Sequence, residues 1–228
     1  MQGLNEKTQK IFEEISKLSC IKDYTLIGGT AISLQIGKRL SEDLDFCKWS
    51  TNLKKDKPIV DWPQIQKQIE AVGKVNKVNV LGFDQVNFVV DDVKISFLTL
   101  PQRLSPVNDY VPIINNIKAA DLASLGVMKV TLILSRSEWR DYYDIYSLLK
   151  EGQSLKAMVD GASEYSNHTL KTRDALSFLS SGSNYKKGKD FDLLKPVYDI
   201  DSKEIEELIK FFIRKEYIPD NSFDYPNQ

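Results

Sequence analysis

Apolar residues recur at two different periods along this chain, and the change of period divides it. Leu4, Ile11, Ile15 and Leu18 fall on one side of a stretch otherwise filled with Lys and Glu, which predicts an amphipathic helix lying on a sheet. Tyr24 to Ile27 is a short apolar run halted by Gly28-Gly29, the pattern of a buried strand entering a tight turn. From Thr30, Ile32, Ile36 and Leu40 keep helical spacing, and then Leu44 and Phe46 alternate with Asp43, Asp45 and Cys47 as on a strand. Asp61 is placed to cap a helix from Trp62 to about Val72, with Pro63 in its first turn, Ile65 and Ile69 inward and Gly73 as the stop. Residues 75–100 switch to strand chemistry: one strand holds Val78, Val80 and Leu81, the next Val86, Phe88 and Val90, and a third Val93, Ile95 and Phe97, with Asp91-Asp92 as a hairpin turn.

Beyond Pro101, Pro106 and Pro112 the pattern is almost wholly helical. Leu122, Leu125, Met128 and Leu132 mark a helix over 121–134. Ser135-x-x-Glu138 reads as a capping box opening a second helix through Leu149, and further helices fit 155–165, 170–179 and 202–217. Residues 51–58 and 180–189 read as polar, lysine-containing loops. The expected architecture is α/β in the α+β sense: a mixed sheet with flanking helices over residues 1–112, and a helical domain over 113–228.

Composition narrows the partners only slightly. The 228 residues carry 31 Lys+Arg against 32 Asp+Glu, so bulk charge neither favours nor excludes nucleic acid, and an RNA contact needs a local patch. Cys20 and Cys47 give neither a disulfide framework nor metal-ligand spacing. There is no apolar run of membrane-spanning length, and the first residues lack the layout of a secretion signal, so a cytoplasmic protein is expected.

The chemistry concentrates in residues 24–49. A Gly-Gly turn between strand and helix leaves backbone N–H groups at the positive end of the helix dipole, where phosphate is attracted, and Gly28 and Gly29 keep Cβ atoms out of an anion's way. Asp43 and Asp45 share one face of the next strand. Two such carboxylates repel, a divalent cation relieves the repulsion, and hard oxygen ligands favour Mg²⁺. A phosphate cradle followed by paired carboxylates suits a metal–nucleoside triphosphate.

The run G-G-T-A-x₇-R-x-S-x-D-L-D-F, spanning Gly28 to Phe46, resembles the signature of the AbiEii/AbiGii toxin family of nucleotidyltransferase-like proteins. That family also pairs an inner Lys with a downstream R-D-x-x-D segment, matched by Lys129 and by Arg140, Asp141 and Asp144. The resemblance covers roughly residues 25–149. It implies a nucleotidyltransferase fold and a toxin that moves a nucleotidyl group from GTP or another NTP to an acceptor, with tRNA as a candidate, opposed by an antitoxin. On that reading Asp43 and Asp45 hold Mg²⁺. Gly28, Gly29, Thr30, Arg39, Ser41, Lys129 and Arg140 meet the nucleotide, and Lys129, Asp141 and Asp144 join the two aspartates in catalysis. A small-molecule nucleotidyltransferase of the antibiotic-modifying type and a non-catalytic nucleotide-binding module are the rival readings.

Several residues keep two readings. Arg140 and Asp144, four apart, form either a surface ion pair or part of a face closing over the nucleotide, with Asp141 or Asp144 orienting Lys129. Many nucleotidyltransferase folds carry a third carboxylate on a later strand, where Ser96 stands here. Phase puts Ser96 on the same face as Asp43 and Asp45. Cys47, in phase with the aspartates, is expected near the site as a packing residue or a nucleophile. His168 is expected at a helix start on the surface. Lys186, Lys187 and Lys189 belong either to a solvated loop or to an RNA contact.

Overall fold

The computed structural model describes residues 2–51, 58–133 and 135–218. The lysine-rich loop expected over 51–58 falls mostly outside them. The strands are β1 (Thr25–Ile27), β2 (Leu44–Ser50), β3 (Val75–Val80), β4 (Gln85–Val90), β5 (Val93–Pro101), β6 (Tyr110–Ile114) and β7 (Ile117–Ala120). They form one mixed seven-stranded sheet in the order β3-β4-β5-β2-β1-β7-β6. β2 runs parallel to β5 and antiparallel to β1, while β1 runs parallel to β7. Asp91 and Asp92 both take positive φ, 45° and 67°, which closes β4 onto β5 as a tight hairpin.

Helices α1 (Glu6–Ile15) and α3 (Trp62–Ile69) contribute Ile11, Phe12, Ile15, Ile65 and Ile69 to the core. Phe97 of β5 packs edge-on to Tyr24 and Phe88, with ring centroids 5.1 and 6.0 Å away, and stacks on Phe46 at 5.4 Å. These aromatics explain the alternation along β2, β4 and β5: one face of each strand is buried, and the polar face is left for the site.

β6 crosses the expected division at 112/113, and the sheet continues to Ala120. Pro112 is tolerated because β6 is an edge strand, where a missing N–H costs no ladder bond. The helical part follows as α4 (Leu122–Leu132), α5 (Trp139–Lys150), α6 (Leu155–Tyr165), α7 (Thr172–Leu179) and α8 (Ser202–Tyr217). The predicted capping box at Ser135 does not form. Its hydroxyl turns back to the Leu132 carbonyl at 2.8 Å, and α5 starts four residues later with Glu138 in the cap position and no side-chain cap. Nor does His168 start a helix. It lies past α6 at φ 60°, its N–H donating to the Ser163 carbonyl. Among the described residues no helix is long and apolar enough to cross a membrane.

Segment 185–198, whose lysines at 186, 187 and 189 suggest a solvated loop or an RNA contact, packs back onto the loop after α2 (Gly28–Ile36). The Lys38 carbonyl accepts from the Tyr143 hydroxyl at 2.9 Å and from the Val197 N–H at 2.9 Å. The Leu40 N–H donates to the Leu194 carbonyl at 2.6 Å, and the Tyr198 N–H donates to the Tyr143 hydroxyl at 3.0 Å. Tyr185 stacks on Tyr142 at 3.9 Å. The last third of the chain therefore clamps the loop that carries Arg39.

Candidate active site

Two glycines make the turn from β1 into α2, and each has a specific neighbour. Gly28 sits at φ 73°, a conformation that a side chain makes strained, and a Cβ there would come 3.1 Å from Asp45 Oδ2. A Cβ on Gly29 would strike the Arg39 guanidinium and lie 3.6 Å from Asp144 Oδ2. The glycines thus let the turn settle onto charged side chains below it, a reason the sequence did not give. Ile27 precedes the helix with no side-chain cap, so the first-turn N–H groups of α2 have no capping acceptor among the described residues.

Beneath Gly29 lies a buried chain of charges. Asp144, 1% exposed, accepts from Arg39 Nε at 2.7 Å and Nη2 at 2.8 Å, and its Oδ2 lies 2.7 Å from Lys129 Nζ. Lys129 also donates to Asp141 at 2.6 Å, and Asp141 accepts a bidentate pair from Arg136 at 2.7 and 3.2 Å. Burial pushes the Asp144 carboxyl up, but Arg39 and then Lys129 outweigh it and hold Asp144 below its ordinary value. Arg39 is driven further toward its charged form by Asp144 despite the cost of burial. The guanidinium is completed by a 2.9 Å bond to the Leu40 carbonyl, so Arg39 shapes the site from below.

The Arg140–Asp144 surface pair does not form. Asp144 turns inward, and Arg140 reaches out to Glu42, with 3.6 Å between Nη1 and Oε2. Thr30 and Ser41 are buried too. The Thr30 hydroxyl lies 2.8 Å from Ser41 Oγ and also reaches the Asp43 carbonyl, tying α2 to the start of β2.

Asp43 and Asp45 differ from this saturated network. Among the described residues neither carboxylate has an ion pair or a hydrogen bond. Burial first, then Asp45 and Glu42, push the Asp43 carboxyl above its ordinary value, with Lys94 and Arg140 offsetting part of the effect. Ser96 pairs in register with Asp45 across β5 and β2 and is 6% exposed. Asp43, Asp45, Ser96, Glu42, Lys94 and Arg140 line a cleft of about 530 Å³ between the sheet and α4–α5, together with Leu98, Leu125, Met128 and Gln85, whereas Asp144 is buried behind its wall. Gln85, Lys94 and Arg136 were not singled out from the sequence. The signal was available in the strand phase of Gln85 and Lys94, whereas Arg136 reaches Asp141 only through the turn before α5.

Cys47 is fully buried and does not line the cleft. Burial drives its thiol far up, which leaves it a packing residue. Lys187 pairs with Asp192 at 2.8 Å, outside the cleft. Among the described residues no group of three or more His, Cys, Asp or Glu gathers as a metal cluster. On the β2–β5 wall of the cleft the oxygen donors side by side are the carboxylates of Asp43 and Asp45 and the Ser96 hydroxyl. Hard oxygens with uncompensated negative charge fit a hard divalent cation.

The fold matches solved structures at low identity. MenT4, a nucleotidyltransferase toxin of Mycobacterium tuberculosis H37Rv, aligns over 95% of this chain and 87% of its own at a TM-score of 0.58 and 12% identity. JHP933 of Helicobacter pylori aligns over 93% and 94% at 0.50 and 18%. An uncharacterized Aquifex aeolicus protein is 28% identical over 166 residues, which is 69% of this chain and 73% of that one. The family model of the AbiEii nucleotidyl transferase toxins, from type IV toxin–antitoxin systems, matches residues 10–220. The sequence resemblance stopped near residue 149, whereas this match takes in the clamp and α8, so the chain belongs as a whole to the AbiEii family of nucleotidyltransferase toxins.

Proposed function

We propose that this toxin transfers a nucleotidyl group from an NTP, GTP or another, to an RNA acceptor such as tRNA, with Mg²⁺ at Asp43 and Asp45. One contrast carries the reading: among the described residues every buried charge under the Gly28-Gly29 turn is paired, whereas the carboxylates of Asp43 and Asp45 beside it in the cleft are not. A group kept charged, half-buried and unpartnered raises the energy of the free protein, and a cationic ligand relieves it.

Asp43 and Asp45 would hold the divalent cation, with the Ser96 hydroxyl beside them. When bound, the ion supplies charge neutralisation and Lewis acidity at the transferred phosphorus. The N–H groups of Gly28, Gly29 and Thr30, at the start of α2, receive the triphosphate oxygens. Lys129 adds a fixed positive charge at the cleft wall. Asp141 and Asp144 orient it and are themselves engaged by Arg136 and Arg39, so they act as positioning residues. Arg140, on the rim, is free to exchange Glu42 for a phosphate oxygen. The acceptor hydroxyl gives its proton to solvent and its oxygen bonds the α-phosphorus, while the bond from the α-phosphorus to the oxygen bridging the α- and β-phosphates breaks and pyrophosphate leaves with that oxygen.

A non-catalytic nucleotide-binding module is the second reading, favoured by Ser96 where a third carboxylate would stand. Incubation with each labelled NTP, Mg²⁺ and total RNA tests the proposal: labelled RNA with matching pyrophosphate is expected, and nucleotide binding without pyrophosphate release would favour the module. The family context makes an antitoxin the expected regulatory partner.

A further inference from the structure

Lys94 and Ser96 of β5 border the cleft, but the polar face beyond them, on β4 and β3, belongs to no function described so far. Strand register runs one row of side chains straight outward from the cleft carboxylate of Asp45: Asp45 pairs with Ser96, Ser96 with Asn87, and Asn87 with Asn79. The parallel row places Lys94 opposite Val89 and Val89 opposite Lys77. The other side of β4 and β5, with Val86, Phe88, Ile95 and Phe97, is fully buried in the core, so these rows lie on the opposite, open face. Lys77, Asn79 and Lys94 are exposed, and Asn87 is half-buried. Beyond Asp45, then, the face carries cations, amides and a hydroxyl, and no carboxylate lies in either row.

We infer that this face is the track along which the 3′ or 5′ end of a polynucleotide acceptor reaches the site. The inference rests on the nucleotidyl-transfer reading, and reaction geometry supplies its direction. Displacement at phosphorus is in line, so the attacking oxygen enters on the side opposite the leaving pyrophosphate. The groups suited to the triphosphate, the start of α2 and Lys129, lie on the β1 side of Asp45. The sheet order β3-β4-β5-β2-β1 leaves the β5 side for the acceptor. From Asp45 to Asn79 is three strand spacings, about 14 Å, a length suited to the last few nucleotides of a strand rather than to a small alcohol. Lys, Asn and Ser are the side chains that bond phosphates and sugars, and carboxamides also read base edges. Neither row holds an aromatic side chain, so recognition along them is by phosphate and edge contacts, with stacking open only to Phe83 in the β3–β4 turn.

The test uses the full chain and the variant Lys77→Ala/Asn79→Ala/Asn87→Ala, with Lys77→Ala/Asn79→Ala as the gentler version, since both of its positions are exposed. Binding of a short single-stranded RNA, of the same sequence as DNA, and of a fluorescent NTP is measured, alongside labelling of the RNA. The expected result is about tenfold weaker polynucleotide binding with NTP affinity unchanged. The salt dependence should be shallower by about 0.7 for the one lysine removed. Loss with RNA alone would mean that the 2′-hydroxyl is read, and loss with both that the phosphate backbone is. Wild-type polynucleotide affinity in both variants, or no polynucleotide binding by the wild type, overturns the track whatever the transfer assay gives. If binding is lost as expected but the wild type never labels RNA, the face stands as a polynucleotide-binding surface, and both the transfer reading and its role as an acceptor track fall.

Discussion

Replacing Asp144 by Asn keeps the shape of the side chain and removes its charge at the centre of the buried network. Asp144 holds Arg39 through two bonds of 2.7 and 2.8 Å and Lys129 through a contact of 2.7 Å. Both cations stay buried after the change and share one neutral amide oxygen where two charged ones stood, Arg39 keeping the Leu40 carbonyl and Lys129 keeping Asp141. Breaking a buried ion pair by removing one partner costs about 3–5 kcal/mol, and the surviving Asp141 contact favours the lower part of that range. At about 2–4 °C per kcal/mol for a chain of this size, the melting temperature should fall by about 6–16 °C at pH 7. Salt should change the loss little, because the pair is shielded from solvent.

The double variant Arg39→Met/Asp144→Leu, which removes both charges, should recover much of the loss. Acid titration gives a second check. Asp144 is held below its ordinary value of 3.8, so its folded pKa is depressed. Its stabilisation is present above the unfolded pKa and is lost as pH falls from there through the folded value. Asp144→Asn should therefore show a smaller drop in stability on acidification than the wild type. Urea and thermal melts across pH measure both. A single variant within about 1 kcal/mol of wild type, or a double variant as damaged as the single, would refute the account of the network.

Asp43→Asn and Asp45→Asn should each abolish transfer while leaving the metal-free melting temperature level or higher. Because the Asp43 pKa is raised in the fold, its contribution is fully present below the unfolded pKa and is lost as pH rises through the folded one, so it should vanish from the pH profile in Asp43→Asn. Mg²⁺ at about 100 times its Kd should stabilise the wild type by about 2.7 kcal/mol and neither variant, as calorimetry with and without the ion would record. Gly29→Ala should cost about 1–3 kcal/mol, because its Cβ strikes the Arg39 guanidinium, and transfer should fall with it. Lys129→Ala should weaken NTP turnover yet leave the Mg²⁺-dependent rise in melting temperature, and an intact turnover rate would remove Lys129 from the site. Ser96→Asp should fold, because Ser96 borders the cleft, and should increase stabilisation by Mg²⁺; a loss of that stabilisation would show the side chain turned away from the ion.

Strand phase was the most legible part of the sequence. Alternation in 43–47 and 93–98 placed Asp45 and Ser96 on one face, and the register pairs them side by side. The helices over 155–165 and 202–217 were readable because their apolar spacing is regular, and α8 also carries a capping box at Asp201–Glu204. The boundary was harder to read. Three prolines looked like a domain linker, but an edge strand tolerates Pro112. The partners of Arg39 were invisible because they are non-local: Arg39 and Asp144 are 105 residues apart, and local spacing offered Arg140 as the nearer choice. The clamp was missed for the same reason, since backbone carbonyls such as that of Lys38 leave no trace in side-chain patterns.

The Lys38 carbonyl, held jointly by Tyr143 and Val197, gives the chain a schedule. Synthesis runs from the N-terminus, so the glycine turn and both cleft carboxylates emerge early, and Lys129 and Asp144 follow by mid-chain. The loop bearing Arg39 is not locked until residues 194–198 arrive to grip it. A partly made toxin thus carries every charged residue of the cleft but lacks the brace that sets Arg39 against Asp144. Until those residues are added, the loop bearing Arg39 lacks its backbone grip.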